Sequence, residues 1–118
     1  MTYERAIEIV EKEFSFKDNT ENTKFIKTGV TYDGFNHFCA CLYNSDKGVI
    51  ITDLGKTKDV FDEVPKEEWA KLCKEHGFKF EHWSIVRDFE SIKDVHDFIE
   101  FLDFISNKYW DEVQDDKD

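Results

Sequence analysis

The decapeptide Gly48-Val49-Ile50-Ile51-Thr52-Asp53-Leu54-Gly55-Lys56-Thr57 decides how the chain reads. Asp46-Lys47-Gly48 turns the backbone into it, and the β-branched run Val49-Ile50-Ile51 suits a half-buried strand. The strand stops at Asp53-x-Gly55. Asp53 can accept hydrogen bonds from backbone amides just downstream, and Gly55 can take a positive φ without a Cβ clash. A strand end built this way is either a plain turn or a place where a ligand is held, so Asp53 and Gly55 are noted as turn residues that double as a candidate ligand site.

Working upstream, Asn36–Tyr43 reads as a strand. Lys24–Tyr32 reads as its hairpin partner across Asp33-Gly34, a strong hairpin signal. Ser15–Asn22 is polar and reads as a loop. Thr2 can cap a first helix that reaches about Phe14, with Tyr3, Ala6, Ile7, Val10 and Phe14 on one face. Working downstream, residues 53–64 fit an irregular crossover or a short helix. Pro65 suits the first position of a helix, with Glu67 and Glu68 favoured by its dipole and Gly77 stopping it. Phe78–Val86 reads as a fourth strand. Ser91 opens a last helix extending to about Val113. The order α-β-β-β-α-β-α predicts an α+β fold, a mainly antiparallel sheet of about four strands with helices packed against it. Residues 1–113 form one expected domain, and 114–118 an expected frayed acidic tail.

Composition narrows the function classes. With 40% apolar and 16% aromatic residues, twelve of them Phe, the 118-residue chain can build one core. No apolar run approaches the roughly 20 residues of a membrane span, and the N-terminus lacks a secretory leader pattern. Three cysteines without a framework spacing suit a reduced, cytoplasmic setting. The net charge is −11, and residues 83–118 hold eleven acids against four bases. Such a field repels a nucleic-acid backbone and anionic lipid, and it favours a basic protein surface. A protein partner or self-association is therefore expected, with neither direct nucleic-acid nor membrane binding.

Taken with the hairpin, the last helix, Glu75-His76-Gly77-Phe78 and Thr52-Asp53-Leu54-Gly55-Lys56-Thr57, the element order resembles a small bacterial and phage family of unknown function. That family is marked by a strand ending in Thr/Ser-Asp-x-Gly. The resemblance spans roughly residues 25–106 at the level of element order. It implies the fold and a phage or mobile-element background, and no reaction.

Catalytic constellations fail one by one. A phosphate-binding loop ending at Gly55-Lys56-Thr57 needs a glycine where Ile50 stands. His37, Cys39 and Cys41 alternate on one strand face, but neighbours on such a face lie roughly 6.5–7 Å apart, too far for two thiolates on one zinc. Cys73 and His76 share a helical face, yet Glu68 and Glu75 deny that thiol the electropositive surroundings a nucleophile needs. No Glu-x-Lys accompanies Asp33, Asp53 or Asp88 to hold magnesium as restriction-type nucleases do. No metal, cofactor or catalytic residue is assigned, and the chain leans away from being an enzyme. His37 stays beside Asp53 as the alternative, a small-ligand or enzymatic site. The last helix carries the clearest non-catalytic signal. Its apolar arc leaves Phe101 at the edge and Phe104 among polar residues, with Trp110 near the end and Glu100 and Asp103 opposite. Spare aromatics beside acids point to an interaction surface, unless a folded-back loop covers Phe104.

Overall fold

A computed structural model describes residues 1–17 and 19–115, with side chains described as far as Tyr109 apart from that of Asp18. Helix α1 (Tyr3–Glu11) starts at Thr2, whose hydroxyl accepts from the Arg5 amide at 3.1 Å. That cap contributes about 1 kcal/mol. Ala6 and Val10 are fully buried. Six strands follow: β1 (Phe16–Lys17), β2 (Thr23–Ile26), β3 (Cys41–Ser45), β4 (Gly48–Thr52), β5 (Lys79–Glu81) and β6 (Ser84–Asp88). Helices α2 (Lys56–Val60) and α3 (Lys66–Glu75) lie between β4 and β5, and α4 (Ile92–Asp115) closes the described chain.

The strands form one sheet in the order β1-β2-β3-β4-β6-β5, antiparallel at every pairing. The fold is thus α+β with an antiparallel sheet, as expected, but with six strands instead of about four. Two additions make the difference. Ser15–Asn22 holds the short edge strand β1, stitched by the Lys27 amide to the Ser15 carbonyl at 2.9 Å. The stretch expected as one strand, Phe78–Val86, folds back on itself as β5 and β6 through a two-residue loop at His82-Trp83.

The first hairpin is shorter than its alternation suggests. Gly29 turns out of the strand at φ 74°, so β2 stops at Ile26 and β3 begins only at Cys41. Between them the Asp33-Gly34 turn does form. The Asp33 carboxylate accepts from the amides of Phe35 and Asn36, and one bridge pairs Thr31 with His37. Pro65 stands one position earlier than expected, as the N-cap of α3, and Gly77 leaves that helix at φ 83°. Helix α4 runs past Val113 to Asp115, while residues 116–118 of the expected tail lie outside the described residues.

The core lies between the sheet and the helices. Leu42, Ile51 and Ile85 meet Trp69 of α3 and Val95, Phe98, Leu102 and Ile105 of α4, all buried. Arg87 on β6 clamps α4 onto the sheet with ion pairs to Asp94 at 3.0 Å and Asp97 at 3.2 Å. Asp94 also reaches back to the amides of Glu90 and Ser91, satisfying donors at the helix start. Among the described residues no helix is long and apolar enough to cross a membrane.

Candidate functional site

The Asp53-x-Gly55 strand end is an internal knot. Asp53 is fully buried. One carboxylate oxygen accepts from the amides of Gly55 at 3.0 Å and Ile85 at 2.9 Å, and the other from Thr57 at 3.1 Å. The side chain therefore ties the end of β4 to the first turn of α2 and to β6. The network continues inward, because the Thr57 hydroxyl meets the Tyr32 hydroxyl at 2.7 Å and the Cys39 amide donates to that same phenol oxygen at 3.4 Å. Burial pushes the Asp53 carboxyl above the ordinary aspartate range, against the pull of hydrogen bonds from the Thr57 hydroxyl and the Ile85, Gly55 and Thr57 amides. An acid enclosed this way binds backbone and has no face toward solvent.

The cysteines beside it are protonated at neutral pH. Burial, and after it the Asp53 charge, pushes the Cys39 thiol up to about 11 and the Cys73 thiol up to about 12. Burial, then Cys39 and Asp53, pushes Cys41 upward too. No thiolate nucleophile is prepared here. Among the described residues no three His, Cys, Asp or Glu side chains cluster as a metal site would require. Cys73 and His76 part company by exposure, the thiol being fully buried and the imidazole lying at the surface.

His37 lies elsewhere. It is exposed and lines a shallow groove with Lys17, Ile26, Lys27, Thr28, Gly29 and Phe38. Asp53 and His37 do not converge on one surface.

The last helix lines a second surface groove. Asp97, Glu100, Phe101 and Phe104 recur at i, i+3, i+4 and i+7, which puts them on one stripe of α4. The stripe faces the end of α3 and, with His76 and Phe78, lines a groove of about 420 Å³. Its floor is a ladder of rings. Phe78 stacks on Phe101 at 4.9 Å, Phe101 on His76 at 4.7 Å, and His76 leans on Phe104 at 4.6 Å. The ladder starts in the core, where Phe78 and Phe101 are buried, and ends at Phe104, which is 42% exposed. Gly77 makes this geometry accessible, because its left-handed turn ends α3 with His76 beside α4.

Two acids flank the rings. Asp97 is paired with Arg87 and Lys93, whereas Glu100 is exposed and has no ion-pair partner among the described residues. Of the interaction residues expected from sequence, the groove gathers Glu100, Phe101 and Phe104. Asp103 is exposed outside its lining, and the Trp110 side chain lies outside the described residues. Phe101 is floor rather than edge, buried to 2% exposure. Sequence reasoning missed His76 as the ring joining Phe101 to Phe104, although its position one residue before a helix-ending glycine was the available signal. It also missed Leu54 and Trp83, whose exposure has no periodic signature.

No family model matches the chain, and no curated protein or solved structure matches it either. The likeness of the Asp53-x-Gly55 strand end to the bacterial and phage family therefore rests on the sequence alone.

Proposed function

We propose that this protein is an interaction module whose α3–α4 groove takes a basic, partly apolar segment of a protein partner. The observation that carries this reading is the graded ring ladder Phe78-Phe101-His76-Phe104 with Glu100 beside its exposed end. An aromatic face attracts an ammonium or guanidinium group, and it accepts the methylene stem of the same side chain. A carboxylate at the rim adds charge complementarity, which governs encounter and salt dependence more than final affinity. The net charge of −11 favours a basic partner and disfavours nucleic-acid backbone or anionic membrane. The resemblance of the strand end to a phage-associated family suits a regulatory role of this kind.

A short peptide of alternating lysine and leucine, carrying a fluorophore, tests the reading by polarisation. Binding is expected to weaken with added salt. Phe104→Asp and Glu100→Lys should each weaken it about tenfold or more, as for anchor residues at interfaces. Equal binding by wild type and both variants would remove the groove as the site.

A further inference from the structure

Three residues other than glycine adopt a left-handed backbone among the described residues, namely Leu54, His82 and Trp83, at φ 52°, 50° and 64°. All three meet at one place. A Cβ on Gly55 would lie 3.4 Å from the Trp83 carbonyl oxygen, so the turn after β4 and the loop between β5 and β6 pack back to back. Such conformations persist only where surrounding structure enforces them, and they cluster at functional sites. Here they present two large apolar side chains to solvent, Leu54 at 49% exposure and Trp83 at 42%. Two cations attend the Trp83 ring, Lys58 Nζ at 4.9 Å and Lys66 Nζ at 5.4 Å from its centre. Lys58 also lies 3.9 Å from Asp59, while Lys66 has no ion-pair partner among the described residues. The result is an exposed apolar knob with two lysines over its Trp83 ring.

This knob has the chemistry that the α3–α4 groove asks for, an apolar surface joined to ammonium groups. The two sit at opposite ends of α3, with Lys66 as its first residue and His76 just past its last. Ten residues of helix, about 15 Å, separate them. We infer that the chain associates with itself head to tail, the Leu54–Trp83 knob of one copy seating on the Phe101–His76–Phe104 groove of the next. Lys66 and Lys58 then face Glu100, the groove acid without an ion-pair partner, since Asp97 is already held by Arg87 and Lys93. The contact is heterologous, so every copy offers a second knob or groove, and the assembly is a ring or an open chain. This inference rests on the reading of the groove given above and names its occupant.

Light scattering after size exclusion, across a wide concentration series, tests it. The average mass of the wild type should rise with concentration. Trp83→Ala and Phe104→Asp should each remain monomeric alone. Mixed, they should recover a one-to-one dimer, because one keeps an intact groove and the other an intact knob. Lys66→Glu, an exposed change at the start of α3, replaces Trp83→Ala if that variant loses its circular dichroism spectrum. A wild type that stays monomeric at every concentration, variants that still associate, or a mixture that stays monomeric would each overturn the head-to-tail contact. A monomeric wild type that still binds the lysine–leucine peptide would exclude a second copy while leaving the groove reading intact. A monomer that binds no peptide would end both.

Discussion

Asp53 shows how one residue can read correctly in part and still mislead. The Asp-x-Gly pattern gives away its bonds to the nearby Gly55 and Thr57 amides. Its bond to the Ile85 amide, 32 residues away, has no local signature, and that bond makes the side chain a buried tie between strands instead of a surface turn. A turn cap alone predicts a loss of about 1 kcal/mol on Asp53→Ala. Three orphaned amides predict about 3–5 kcal/mol, measurable as a drop in the urea midpoint with unchanged slope. The pH dependence has a definite direction. Because the folded carboxyl titrates above its ordinary value of 3.8, Asp53 contributes stability that is complete below that value and is lost as pH rises through the folded pKa. The stability gap between wild type and Asp53→Asn should therefore widen on acidification toward about pH 4; a gap that narrows would contradict the assigned direction. Asp33 acts in the opposite sense and in another window. Burial opposes its ionisation, but bonds from Asn36 and Phe35 hold its pKa below 3.8, so its contribution is lost only under stronger acid. The thiols make a kinetic prediction at the same scale. With its pKa pushed up to about 11 from an ordinary 9.0, Cys39 should react with iodoacetamide at pH 8 about a hundredfold more slowly than after unfolding in urea.

Among the elements, the start of α1, β4 and α3 were legible because each carries its own punctuation: Thr2, the Gly48 and Asp53-x-Gly55 boundaries, and Pro65 with Gly77, whereas the end of α1, expected near Phe14, lies at Glu11. The β5–β6 hairpin was not. A two-residue loop with both residues at positive φ normally announces itself as Asn-Gly, whereas His82-Trp83 offers no such signal. Alternation then runs through the loop and imitates a single strand. The second half of the expected first hairpin was lost for a related reason, since Gly29 interrupts a run whose side-chain pattern continues to alternate. A loop this poorly matched to its residues holds recoverable stability. His82→Asn with Trp83→Gly should raise the unfolding free energy by about 1 kcal/mol, a rise in Tm of about 4 °C for a domain of this size. The same double change removes the exposed Trp83 and should reduce self-association. A more stable protein that associates less would fit a loop retained for its surface.

Across the whole molecule, composition indicated a globular chain with an acidic field and the element order an α+β fold, and the sheet and helices agree with the latter. The surface was legible only in outline. Phe104 stood out among polar neighbours, and Glu100 and Phe101 were named with it, but a helical wheel put Glu100 opposite the aromatics. The groove exists because α3 ends at Gly77 and brings His76 against α4, so that Asp97, Glu100, Phe101 and Phe104 share one wall. That meeting is set by tertiary packing, which no single element encodes. His37 and Asp53, adjacent in expectation, were separated by the same packing, one at the surface and one in the interior. Phe104→Asp should leave the fold intact, because Phe104 is not in the core, and its Tm should stay within a few degrees of the wild type. The most direct measurement is an amide chemical-shift map of the labelled protein titrated with the lysine–leucine peptide. Shifts concentrated at His76, Asp97, Glu100, Phe101 and Phe104, reduced by salt and absent in Phe104→Asp, are the predicted result. Shifts centred on Lys17, Lys27 and His37, or no shifts at all, would contradict the groove as the site of interaction.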